Sequence, residues 1–293
     1  MEQPDTLEIK NPSILSDTSS KRRFSFWYSS LGAALKDYID GFLQWRLWID
    51  IALGDMRRRY RRTVIGPFWT TLSLAIFVTS MGILFSLLWH MSISNFLPYF
   101  ASGFICWTFF SAIITDGCQT FVSGEGLLKQ VALPYALFAW LVVARNFLVF
   151  LHQIVVYIVI AWLFHVPVNE NTLLVIPGFL LLFFSGSWIA IFLGFLCARY
   201  RDVQQVISSL LQISMFLTPI FWPVDQLGHS LKAYVLMNGN VLYHYIAIVR
   251  QPLLGLAPAG LSWWVVSVTT LLGWLLTLYT MARKQKQLIF WLL

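Results

Sequence analysis

Between Thr63 and Thr115 the chain carries no Asp, Glu, Lys or Arg, and five arginines crowd the six positions before it, "RRRYRR" (Arg57–Arg62). An α-helix needs about 20 mainly apolar residues to cross the hydrocarbon core of a bilayer. Six runs meet that need: Ile65–Trp89, Tyr99–Val122, Leu137–Phe164, Leu173–Ala198, Val203–Phe221 and Leu261–Met281. They are too long and too uniformly apolar for the alternating strands of a barrel, so helices are expected. With 58% hydrophobic and only 11% charged residues, a soluble fold would lack the polar groups to cover its surface. The expected fold class is an all-α integral membrane protein with six transmembrane helices.

Charge sets the orientation. Eleven of the twenty Lys and Arg precede Thr63, and Arg283, Lys284 and Lys286 follow the last run. Lys129 and the Arg199/Arg201 pair lie in the second and fourth connections, while Lys232 and Arg250 share one long segment before the last run. Cationic segments stay in the cytoplasm, so both termini are expected there. A seventh span through residues 231–256 would move Arg283, Lys284 and Lys286 to the outside and bury Asn238, Gly239 and Asn240. That stretch, bracketed by Pro219, Pro223 and Pro252, reads instead as short re-entrant or interfacial helices on the outer side.

Three regions are expected: a flexible cytoplasmic tail over 1–28, an amphipathic interface segment over 29–62, and a six-span domain over 63–293. In "LGAALKDYIDGF", Leu31, Ala34, Leu35, Tyr38, Ile39 and Phe42 recur at helical spacing, with Lys36, Asp37 and Asp40 on the other side. Such a helix lies in the membrane interface. On a helix Arg57, Arg58, Arg59, Arg61 and Arg62 fan over a little more than half the circumference. That arc anchors topology, and it can hold anionic headgroups or the pyrophosphate of a lipid-linked substrate.

Asp116 and Arg145 are the charges well inside expected spans. They flank the connection "SGEGLLKQVALP" (Ser123–Pro134), at depths of roughly 10 and 16 Å at 1.5 Å per residue. Antiparallel neighbours could pair them, and a structural pair and the lining of a substrate path both fit. Aromatic residues make up 17% of the chain. Trp69, Phe104, Trp107 and Phe110 are candidates for an aromatic glycan path, beside the simpler role of packing and interfacial belt.

Several classes are disfavoured. The first 62 residues hold no long apolar core, so no cleavable signal peptide is expected. There is no GxxxxGK[ST] loop for ATP and no HExxH, and Cys106, Cys118 and Cys197 all fall in expected spans, so no metal or disulfide frame is expected. The acids beyond the N-terminal region are scattered, which disfavours a membrane glycosyl- or acyltransferase. An ion-coupled flippase is the other rival, thinly supported by one intramembrane Asp. Nucleic acid is not an expected partner.

Four stretches resemble one family. "RRRYRRTVIGPFWTTLSLAIFVTSMGILFSLLW" looks like the first-span region of ABC-2 type permeases that export bacterial polysaccharides. "CARYRDV" (Cys197–Val203) is similar to their short inner loop, "FLTPIFWPV" (Phe216–Val224) to the end of their fifth span, and "YHYIAIVRQPLLG" (Tyr243–Gly255) to the outer segment before their last span. The wording is nearest to O-antigen permeases, and capsule and teichoic-acid permeases share much of it. The resemblance implies a homodimer in the bacterial inner membrane and export of undecaprenyl-pyrophosphate-linked polysaccharide. It implies no cofactor in this chain, with ATP and Mg on a separate nucleotide-binding ATPase subunit. That subunit would dock on the interface helix (Leu35, Lys36, Tyr38, Ile39) and the first cytoplasmic loop (Glu125, Lys129).

Overall fold

The computed structural model describes residues 30–61, 63–66, 68–223 and 237–292. The expected tail over 1–28, Arg62 and the stretch 224–236 lie outside them. Every regular element among the described residues is helical. An interface pair comes first, α1 over residues 30–43 and α2 over Trp45–Arg59. Then come α3 (Phe68–Leu88), α4 (Ile93–Cys118), the short α5 (Glu125–Gln130) and α6 (Tyr135–Leu163). A 3-10 turn over Glu170–Leu174 leads into α7 (Val175–Arg199), followed by α8 (Val203–Leu217), α9 (Val241–Leu253) and α10 (Gly260–Trp291).

Five of these helices are long and apolar enough to cross a membrane: Phe68–Leu88, Ile93–Cys118, Tyr135–Leu163, Glu170–Arg199 and Gly260–Trp291. The expected count of six is not reproduced as six long helices. The run over 203–221 forms the 15-residue α8, about 22 Å at 1.5 Å per residue, against a hydrocarbon core of about 30 Å. The chain leaves helical geometry at Thr218, just before Pro219, because the residue preceding a proline is forced out of the α region. Residues 218–221 are buried, and the Pro219 and Phe221 carbonyls are taken up. Trp89 Nε1 donates to the Phe221 carbonyl at 2.9 Å and Tyr99 Oη to that of Pro219 at 3.1 Å. Irregular backbone survives at membrane depth only when it is enclosed and bonded in this way.

Of the expected short helices in the outer segment, α9 is described. It packs against α4, α7 and α10 rather than lying on the surface. α4 is the hub, in contact with α3, α6, α7, α8 and α9. It carries much of the larger apolar core, including Phe96, Phe100, Ile105, Phe109 and Ile113.

A second core lies at one end of the bundle, where Ala34 of α1 and Trp48 and Ala52 of α2 meet Leu137 and Trp140 of α6, Phe195 of α7 and Leu288 of α10. The basic connections gather here too. Lys129 Nζ lies 3.5 Å from the Leu292 carbonyl, and the Arg199 guanidinium lies over the Trp291 ring. The opposite end holds the 164–174 connection, where Asn169 donates to the Gly255 carbonyl at 2.7 Å. At the basic end α1 presses on the start of α6: a Cβ on Gly41 would come within 2.8 Å of the Leu137 backbone nitrogen, so only glycine permits the approach. The turn between the arginine block and α3 uses Gly66 at φ 63°, left-handed backbone that glycine adopts without strain.

Candidate functional site

Arg57, Arg58 and Arg59 occupy the last turn of α2, and Arg61 the turn after it. Arg57, Arg58, Arg59 and Arg61 are exposed, and cations at a helix C-terminus are stabilised by its dipole. Arg58 and Arg59 enter a cavity of about 470 Å³ whose walls also include Asp55 and Met56 of α2, Asp116 of α4, Gly124 and Leu127 beside and within α5, and Arg145 of α6. The arginine block, the intramembrane pair and the connection between α4 and α6 thus share one space.

A chain of alternating charges crosses it. Arg58 Nη2 donates to Asp55 Oδ1 at 2.5 Å. The other oxygen of Asp55 lies 3.6 Å from Arg145 Nη1. Arg145 Nη2 donates to Asp116 Oδ2 at 3.1 Å, and Asn146 Nδ2 donates to the same oxygen at 3.0 Å. Arg145 and Asp116 therefore meet across α4 and α6, and Arg145 extends from about 15 Å along α6 toward the basic end. Depth arithmetic brings that pair together from sequence alone. Asp55 carries no such signal, because its role depends on how α2 lies against α6, and that of Asn146 depends on which face of α6 meets α4.

The interface helix is more divided than its pattern suggests. Ala34 and Gly41 are buried, and Leu35 (48% exposed), Lys36 and Ile39 face outward. Tyr38 turns inward instead: its ring packs against Trp140 and Trp274 and its hydroxyl shares a 3.1 Å hydrogen bond with Ser187. Burial raises its pKa, with the Ser187 bond pulling the other way. Tyr38 is thus held by the protein itself, unlike Leu35, Lys36 and Ile39. Asp37, assigned to the polar side by the pattern, accepts hydrogen bonds from the Tyr135 and Ala136 amides at 3.0 Å each and caps the N-terminus of α6. Its pKa is raised by burial against the lowering effect of those two bonds.

Glu125 and Lys129 pair with each other at 2.6 Å along α5. Lys129 also lines a second, open cavity of about 770 Å³, together with Asp37, Asp40, residues 130–135 and Ile289 of α10.

The four aromatic candidates do not share one surface. Trp69 is 55% exposed on the outside of α3. Phe104 stacks on Phe77 at 4.7 Å, and Phe110 is 4% exposed against Tyr245. Trp107, itself 4% exposed, borders a groove of about 320 Å³ between α4 and α8 that it shares with Ser111, Thr115, Gln205, Ser208 and Gln212. Among the described residues no cluster of His, Cys, Asp or Glu could hold a metal ion.

Five helices of spanning length and composition, with Lys129 and Arg199 of their connections at one end of the bundle, define a multi-pass membrane protein. The family described as ABC-2 type transporter matches residues 51–254, and the chain belongs to that family. It is similar to the O-antigen export system permease protein RfbA of Myxococcus xanthus, 24% identical over 223 residues, which cover 72% of this chain and 85% of that protein. It is also similar to the O-antigen export system permease protein RfbA of Klebsiella pneumoniae, 23% identical over 235 residues, or 74% of this chain and 90% of that protein.

Proposed function

We propose that this chain is the membrane subunit of an ATP-driven exporter that moves undecaprenyl-pyrophosphate-linked O-antigen polysaccharide across the bacterial inner membrane. The carrying observation is the cavity at the basic end, where α2 brings Arg58 and Arg59 against Arg145 beside the first connection. Guanidinium groups at headgroup depth suit the two phosphates of a pyrophosphate-linked lipid. The basic end is cytoplasmic on the charge rule, with both termini on that side. α8 serves as a short sixth span, and α9 belongs to the outer exit.

No residue of α8 is buried within one chain. Gln205, Ser208, Ser209 and Gln212 border the groove beside Trp107, which supports a second copy packing there and the two copies enclosing the glycan path past Trp107. A separate ATPase subunit supplies the energy and docks at the 770 Å³ cavity, touching Leu35, Lys36 and Ile39 of α1 and Glu125 and Lys129 of α5. The experiment is co-purification with an ATPase encoded beside it, followed by hydrolysis with and without lipid-linked glycan. Stoichiometric co-purification with stimulated hydrolysis is expected. Export that proceeds without any ATPase would favour an ion-coupled flippase instead.

A further inference from the structure

The cavity between α2, α4 and α6 holds three guanidinium groups, those of Arg58, Arg59 and Arg145, against two carboxylates. The carboxylates are not equivalent. Asp116 is bound within the spanning helices, accepting from Arg145 and from Asn146. Asp55 instead bridges two elements, with one oxygen on Arg58 of α2 at 2.5 Å and the other 3.6 Å from Arg145 of α6. An anion with two oxygens placed between two guanidinium groups is the arrangement a bound phosphate would take. Arg59 lines the same space and pairs with no acid among the described residues.

We infer that Asp55 is a built-in competitor for this site: its carboxylate stands where a lipid-borne phosphate binds, and it sets the charge an incoming headgroup must carry. The inference rests on the headgroup role proposed above. The Arg58–Asp55 pair is easily exchanged, since the Arg58 side chain is 71% exposed and exposed ion pairs contribute little. The Asp55–Arg145 contact is long. A singly charged headgroup gains nothing over the carboxylate it displaces. A pyrophosphate brings a second negative charge for Arg59, and its several oxygens engage guanidinium forks bidentately. Asp55 therefore discriminates between the lipid-linked substrate and the singly charged phospholipids that surround it in large excess.

The test uses the full-length chain in phosphatidylcholine nanodiscs doped with either undecaprenyl pyrophosphate or phosphatidylglycerol, with bound lipid counted by native mass spectrometry. The wild-type chain should prefer the pyrophosphate lipid. Asp55→Asn should raise phosphatidylglycerol affinity about twofold to fivefold, the worth of an exposed ion pair. Its effect on the pyrophosphate lipid should be smaller, so the preference narrows. Asp55→Ser, which removes the charge with a smaller side chain, should do the same and serves if the Asn variant does not fold. Arg58→Gln and Arg59→Gln should weaken pyrophosphate binding. If the arginine variants bind as wild type does, the headgroup site itself fails. If they weaken binding while both Asp55 variants leave the preference unchanged or bind less of each lipid, the site stands and Asp55 is no competitor.

Discussion

Asp37 shows how one side chain ties an interfacial helix to a spanning one. The first amides of α6 have no partner within their own helix, and the Asp37 carboxylate reaches across from α1 to accept from two of them. Asp37→Ala should destabilise the chain by about 0.5–2 kcal/mol, the usual worth of such a cap, read as a lowered unfolding midpoint in detergent. The pH dependence runs opposite to that of an ordinary surface aspartate. Burial holds the folded pKa above the ordinary aspartate value of 3.8, so the folded state binds the proton more tightly than the unfolded state. Its contribution is then fully present below 3.8 and falls as pH rises through the folded pKa. The stability advantage of wild type over Asp37→Asn should be larger at pH 3.5 than at pH 7. A gap that widens toward pH 7 would show that the two amide bonds outweigh burial.

Among the elements, the break after α8 is the most dependent on distant partners. Arg250 of α9 is 2% exposed, donates to the Pro219 carbonyl at 2.6 Å and stacks over the Tyr99 ring at 4.3 Å. No acid pairs with it among the described residues, so carbonyl and aromatic ring together hold the charge. Arg250→Gln should cost about 1.5–3 kcal/mol through the lost charge-assisted hydrogen bond, the Pro219 carbonyl keeping only the Tyr99 hydroxyl as donor. It should also raise maleimide labelling of a cysteine placed at Phe221, which wild type buries; unchanged labelling would mean that Tyr99 and Trp89 suffice. The sequence places Arg250 among short re-entrant or interfacial helices on the outer side but gives it no partner, because hydropathy scores the element and not its neighbours. The same blindness ended the last helix at Met281. Hydropathy reports where the hydrocarbon stops, whereas α10 runs on to Trp291, about 48 Å in all, with Met281, Leu288 and Leu292 buried against α2, α6 and α7. The apolar runs themselves were legible because a bilayer filters for length and charge. The pairing of Asp116 with Arg145 was legible because two antiparallel helices share one depth axis. The reach of Asp55 was not, since nothing in one sequence sets the angle at which α2 crosses α6.

For the whole molecule, one-sided charge leads to two separable expectations. The first concerns the side. Cysteines replacing Glu125 and Lys284, both toward the basic end, should react with a membrane-impermeant maleimide only after the inner membrane is opened. A cysteine at Asn171, at the opposite end, should react in intact spheroplasts. Labelling of the position 125 cysteine from outside would invert the proposed orientation.

The second expectation separates the side from the site. Orientation depends on positive charge of either kind, whereas a pyrophosphate bound in the α2 cavity uses the planar fork of a guanidinium, and lysine offers a compact, strongly hydrated point charge. Replacing Arg57, Arg58, Arg59, Arg61 and Arg62 together by Lys should therefore leave the maleimide pattern intact and lower surface polysaccharide severalfold. Single exchanges should divide by position. Arg58→Lys and Arg59→Lys, which change the cavity wall, should account for most of the loss. Arg57→Lys and Arg61→Lys, whose side chains are outside that wall, should export nearly as wild type. Full export by the all-lysine chain would reduce the block to a topology anchor, and an even loss over all positions would point to general attraction for anionic lipid in place of a defined pyrophosphate site.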